Sequence, residues 1–185
     1  MVTRVRSTLI CSGQSELRQR GYFDRYVAHL PPESREDITS LVAGVWLPIA
    51  MGMDHFAACE ALGLGAAEAF DVGAASGRRI QESLLSTLVR LATGAGATPW
   101  TVLDGTYARL WQRIFTGGTL VIGKEGPKDA TIALEDVPPA RFAYFRNGFR
   151  GAIYAGLSLF ASKLYVRELV ERTTDTRVVF RVAWA

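Results

Sequence analysis

Between Pro139 and Phe160 one stripe recurs at spacings of three and four: Phe142, Phe145, Phe149, Ile153, then Gly156 or Leu157, and Phe160. Arg146, Asn147, Arg150 and Ser158 occupy the other side of the same wheel. That is the period of an α-helix with one face turned to a core. Each large side chain buried on such a face contributes roughly 1.5–3 kcal/mol. From Leu164 the period drops to two, in Leu164–Val170 and again in Val178–Trp184, with Thr173-Thr174-Asp175-Thr176 between them as turn chemistry. A helix feeding a β-hairpin is therefore what the rest of the chain must accommodate.

Upstream, Thr3–Cys11 alternates Arg4, Arg6 and Thr8 with Val5, Ser7 and Leu9, which predicts an edge strand. A helix from Ser15 to Leu30 follows, interrupted at Gly21, and Pro31-Pro32 ends it and opens the next. Val42–Pro48 is a connector with Trp46 turned to the core, and Pro48 opens the helix Ile49–Leu62. Ala66–Ala92 reads as helical on Ile80, Leu84, Leu88 and Leu91, with a break expected near Gly73–Ser76 because interior glycines weaken a helix. Beyond a Gly/Ala linker at Thr93–Thr98, a helix should run to Phe115, ended by Gly117-Gly118. Thr119–Ile122 and Ala130–Leu134 then predict two strands joined by a polar loop, Gly123–Asp129. Residues 1–185 thus read as a single α+β domain. Its helical N-terminal and central part packs on an antiparallel sheet of two hairpins, with the long C-terminal helix between them.

Nothing in the sequence carries a catalytic motif. The chain of 185 residues is 49% hydrophobic and 21% charged, a globular balance, with a net charge of only +3. Its arginines are scattered, so neither a basic face nor a nucleic-acid-binding module is visible. Two cysteines, Cys11 and Cys59, make no disulfide framework, which points to a cytoplasmic setting. The longest apolar runs fall short of the ~20 residues that span a bilayer, so no transmembrane segment is expected.

His55 and Cys59 stand one helical turn apart, a spacing that could start a metal site, but two ligands do not complete one. They read instead as a packed histidine and an inert apolar thiol. Arg78-Arg79 and Lys124-Glu125-Gly126 lack the glycine spacing of a phosphate loop and read as surface charge. The remaining signal is aromatic. Trp46, Tyr107, Trp111, Phe145 and Phe149, with His55, are the candidates to line an apolar ligand cavity, although residues so spaced equally fill cores. Gly52, Ala57, Ala58 and Ala61 form a small-residue helix surface on which a second helix could settle, either from the same chain or from a second copy.

The order of features over Trp100–Pro138 also carries a family likeness. It runs from a helix with Tyr107 and Trp111 through Thr116-Gly117-Gly118, a strand, a Lys-Glu-Gly-Pro loop and a second strand to Asp136-Val137-Pro138. With Leu30-Pro31-Pro32-Glu33 and Trp46-Leu47-Pro48 upstream, the chain resembles an uncharacterised paralogue family expanded in myxobacteria. That family in turn resembles the superfamily of vinyl-reductase-type, haem-NO-binding and transport-particle domains. The resemblance covers most of residues 25–184. It implies an α+β ligand-binding or protein-interaction domain that is commonly dimeric. Vinyl-reductase-type domains often hold a metal on cysteines of the C-terminal hairpin, and Leu164–Trp184 contains none. The tyrosine-serine-arginine signature of haem-NO sensors is also missing, so no cofactor is expected.

The functional expectation is a non-enzymatic regulatory or sensory module that forms a homodimer and binds a small apolar ligand. A structural or adaptor domain with a filled core is the alternative, and an enzyme with an unrecognised site comes third.

Overall fold

Two helices, α5 (Ala66–Gly94) and α8 (Ala143–Leu157), cross at the centre of the molecule with their backbones in contact. The computed structural model describes residues 1–94 and 98–185, with side chains for 1–80 and 98–185. Leu84, Leu88 and Leu91 of the expected stripe, and positions 95–97 of the linker, lie outside the described residues. Glycines make the crossing. A Cβ on Gly73 would strike the carbonyl of Gly148, one on Gly77 would lie 2.9 Å from the Ala152 Cα, and one on Gly151 would overlap the Phe70 carbonyl. The break expected near Gly73–Ser76 is therefore absent, and α5 runs through it. Tertiary contact outweighs the ~1 kcal/mol that an interior glycine costs a helix.

The N-terminus departs further from expectation. Only Arg4–Arg6 is a strand, β1, and Ser7–Gln19 is a helix, α1, in place of the expected strand to Cys11. Its inward residues include Ser7, Ser12, Gln14 and Glu16, so the apolar pattern that marks a helix is diluted. Those polar groups are satisfied by tertiary partners: Ser7 Oγ donates to the Val42 carbonyl at 2.8 Å, and Gln14 Nε2 to the Ile38 carbonyl at 2.8 Å. Helices α2 (Phe23–His29), α3 (Pro32–Thr39) and α4 (Ile49–Ala61) follow, with strand β2 (Trp46–Pro48) before α4. The helix expected up to Phe115 is two, α6 (Pro99–Leu103) and α7 (Thr106–Ile114). They are split at Gly105, whose φ of 89° turns the chain. Strand β3 (Phe115–Thr116) closes a small sheet of order β2-β1-β3, in which β1 pairs antiparallel to both neighbours.

The second sheet matches the expected hairpins. Strands β4 (Thr119–Gly126), β5 (Asp129–Glu135), β6 (Leu164–Glu168) and β7 (Val178–Trp184) are all antiparallel in the order β4-β5-β7-β6. The chain is thus α+β, with α8 between the hairpins in sequence. A 3-10 turn at Pro138–Arg141 occupies the expected first turn of α8. Ile132, Leu134, Phe180 and Val182 are fully buried, and the Phe180 ring stacks on Phe149 of α8 at 6.2 Å. The first two backbone amides of α8 find no cap in their own segment. They donate instead to the Glu60 carboxylate of α4, Ala143 N at 3.2 Å and Tyr144 N at 2.6 Å. A carboxylate at that end also meets the positive pole of the helix dipole.

Candidate functional site

Close backbones at the α5–α8 crossing leave room beside it rather than at it. Gly73, Gly77 and Gly148 form one wall of a cavity of about 120 Å³, completed by α1, α4, α7 and the start of β4. Its surface is made by rings. Phe56 meets Phe145 edge-on at 5.0 Å, Phe145 tilts against Phe149 at 5.6 Å, and Trp111 meets Phe149 edge-on at 6.3 Å. Among the described residues, none of the side chains lining it carries a lysine or arginine charge.

Five of the six residues singled out as ligand-lining border this cavity: His55, Tyr107, Trp111, Phe145 and Phe149. Trp46 does not. It sits partly exposed on β2 with the Arg6 guanidinium 4.9 Å over its ring, because the connector around it is an edge strand and not a core loop. The small-residue face also divides. Gly52 is buried, and a Cβ there would sit 3.0 Å from the Val5 side chain; Ala58 is 1% exposed in the core of its own chain. Both are used internally, and only Ala57 and Ala61 face outward.

The polar groups of the wall are nearly all spoken for. Tyr107 donates its hydroxyl to the Ile153 carbonyl at 3.3 Å, and Trp111 Nε1 donates to the Gly117 carbonyl at 3.3 Å. His55 Nδ1 bonds the Tyr26 hydroxyl at 2.8 Å. The Cys59 sulfur lies 3.9 Å from one ring nitrogen and 3.8 Å from the other, so it rests against the ring. Burial pushes the His55 imidazole down to about 3, which keeps it neutral, and pushes the Cys59 thiol and the Tyr26, Tyr107 and Tyr144 hydroxyls upward. A thiol so raised is an inert thiol. Among the described residues no three histidine, cysteine or acidic side chains are grouped to hold a metal ion. Among the described residues the exception is Ser76, 6% exposed, whose hydroxyl lines the cavity without a hydrogen-bond partner. Sequence reasoning missed it, because an isolated helical serine beside a glycine gives no signal.

Haem, which the haem-NO-binding resemblance brings with it, does not fit these residues. The one imidazole in the described wall has its Nδ1 engaged by Tyr26 and its ring covered by Cys59, so no free axial donor faces the space. No cation in that described wall would meet the two propionates. The volume is also small: sites that hold drug-sized ligands span roughly 300–1,000 Å³, whereas this cavity is about 120 Å³.

No family model matches the sequence, and no curated protein matches it either. Solved structures do. A mutant of the Fe(II) unliganded H-NOX protein from K. algicida superposes with a TM-score of 0.67 at 9% identity, covering 97% of this chain and 96% of that one. A mutant of the T. tengcongensis H-NOX gives 0.62 at 16% identity, covering 97% of each. A structure from a study of haem distortion in the H-NOX family gives 0.63 at 17%, covering 97% and 94%. At such identities the likeness speaks for architecture alone, and over essentially its whole length this chain has the H-NOX fold.

Proposed function

We propose that the chain is a non-enzymatic sensory or regulatory module whose central cavity takes a small, neutral, apolar ligand without haem. The cavity itself carries this reading. At about 120 Å³ it is close to the roughly 150 Å³ apolar cavity that stays dry and admits benzene or xenon. A water molecule needs two to four polar partners, and the described wall offers one unpaired hydroxyl, that of Ser76. Helices α1, α4, α5, α7 and α8 all meet at the cavity, so an occupant touches most of the fold at once. The free thiols Cys11 and Cys59 suit a reducing cytoplasm, and no helix among the described residues is long and apolar enough to cross a membrane.

The test is titration of the purified chain with xenon under pressure and with toluene, followed by amide and methyl NMR. Saturable shifts at Phe56, Trp111, Phe145 and Ile153, with a raised melting temperature, are expected. No shift with either probe refutes the ligand reading and leaves the adaptor with a filled core. Self-association through α4 is part of the proposal and rests on the outward Ala57 and Ala61. Sedimentation as a monomer at micromolar concentration refutes it.

A further inference from the structure

One position on the α5 wall of the cavity breaks its hydrocarbon pattern. Val72, Ser76 and Ile80 follow one another at intervals of four along α5, which puts their side chains on one face of the helix, and all three border the cavity. Val72 and Ile80 are buried hydrocarbon, whereas Ser76, equally buried between them, carries a hydroxyl without a hydrogen-bond partner. We infer that the occupant of the cavity is a compact apolar molecule bearing one hydroxyl or carbonyl oxygen, and that Ser76 holds that oxygen. The inference rests on the reading of the cavity as a ligand site and names the polar end of its occupant.

A serine inside a helix ordinarily bonds the carbonyl four residues back, here that of Val72, and Ser76 makes no such bond. Nothing therefore holds the hydroxyl in one rotamer, and a turn about χ1 brings it to meet an occupant. The helix itself is fixed: Gly73 and Gly77, on either side of Ser76, are closed against the α8 backbone at Gly148 and Ala152. An unmet buried hydroxyl destabilises the empty fold, whereas alanine, the residue at the two preceding positions, Ala74 and Ala75, would fill the same helix position without that cost. Water is a poor remedy, since it needs two to four polar partners. Among the described residues the other polar groups of the wall are engaged: Tyr107 with the Ile153 carbonyl, Trp111 with the Gly117 carbonyl and His55 Nδ1 with Tyr26. What such a wall accepts is a single hydrogen-bonding atom on an otherwise apolar body. At about 120 Å³ the space suits a body of benzene's size. A serine hydroxyl both donates and accepts, so it serves a hydroxyl or a carbonyl oxygen alike. An anionic group would find no lysine or arginine in the described wall.

Phenol and toluene differ only by a hydroxyl in place of a methyl, and titrating each into the chain, followed by calorimetry and amide NMR, tests this. The parent should bind both, with phenol shifting the amides of Ser76 and Gly77. In Ser76→Ala the affinity for phenol should fall about tenfold while that for toluene is kept or rises. The ligand-free variant should melt no lower than the parent, because the hydroxyl it loses has no partner. Binding of toluene without phenol overturns the inference and leaves the apolar-ligand reading intact. So does an unchanged phenol affinity in Ser76→Ala, or phenol shifts confined to the outer surface. A variant that melts well below the parent overturns it as well, since the hydroxyl would then have a structural partner. If neither compound binds, the ligand reading of the cavity falls and this inference falls with it.

Discussion

Gly73→Ala and Gly148→Ala add the same methyl group to opposite sides of one helix crossing, and they should move stability in opposite directions. In an open helix either change gains ~1 kcal/mol, the helix-propensity difference between glycine and alanine. At position 73 the new Cβ falls on the Gly148 carbonyl, far inside the normal contact distance of about 3.5 Å. The obstacle is backbone, so no side chain can rotate away. Moving α5 outward would also open the neighbouring contacts of Gly77 with Ala152 and of Gly151 with Phe70. Overpacking of this kind costs about 1–3 kcal/mol and sometimes more, and with backbone as the obstacle the upper end applies. The net expectation is a loss of about 2 kcal/mol. At position 148 the added Cβ would sit 3.7 Å from the Ala69 carbonyl and 3.9 Å from the Gly73 Cα, ordinary contact, so the propensity gain survives. Urea unfolding followed by circular dichroism, with equal m-values, measures the difference of about 3 kcal/mol between the variants. If Gly73→Ala is as stable as the parent, the helices do not touch there and the account of the crossing is wrong.

Three further outcomes are expected. His55 is held neutral down to about pH 3 in the fold but protonates near pH 6.5 once unfolded, so the unfolded state binds the extra proton below that value. Stability is then intact above about pH 6.5 and falls toward about pH 3 by up to about 1.4 kcal/mol per unit; urea midpoints at about pH 7 and about pH 5 should differ more for the parent than for His55→Gln, and equal slopes would disprove the burial. Glu60→Ala should cost about 1 kcal/mol in chemical denaturation by uncapping α8, whereas Glu36→Ala on the surface of α3 should cost little. Phe149→Ala removes a ring that touches Trp111, Phe145 and Phe180; it should cost about 3 kcal/mol and let the cavity admit a two-ring probe such as naphthalene, and a loss below about 1 kcal/mol would show the ring to be loosely packed.

The elements legible in the sequence are those whose partners lie on one face. The phenylalanine stripe of α8 and the alternation of β6 and β7 state their burial directly, and that pattern locates both. The aromatic candidates for the cavity follow from the same reading, because residues spaced for one helix face tend to share one space. What escapes has tertiary causes. Ser7, Gln14 and Glu16 are buried on α1 only because Val42, Ile38 and Arg79 supply their partners, Arg79 Nη2 lying 2.7 Å from the Glu16 carboxylate. Arg79 reads as surface charge in the sequence, yet it is the half-exposed partner of a buried acid. Gly73 looks like a helix breaker until a second backbone needs its space. Strands of two or three residues such as β2 and β3 are too short for any period to show. Trp46 misleads for that reason, since a tryptophan in a three-residue edge strand looks like one tucked into a core.

Strand β1 lies between β2 and β3, pairing Arg4 with both Pro48 and Thr116. On the ribosome its first partner is made early and its second only after helices α4 to α7, a wait of several seconds at about 5–20 residues per second. Through that interval one edge of the newborn strand is open to any other chain, with Val5 as its only large apolar side chain. Arg4 and Arg6 flank Val5, and charge on an open strand is what discourages stray pairing. The arginines that make this segment look like a finished edge strand are thus suited to one that spends its first moments as an edge and ends as the centre of a sheet.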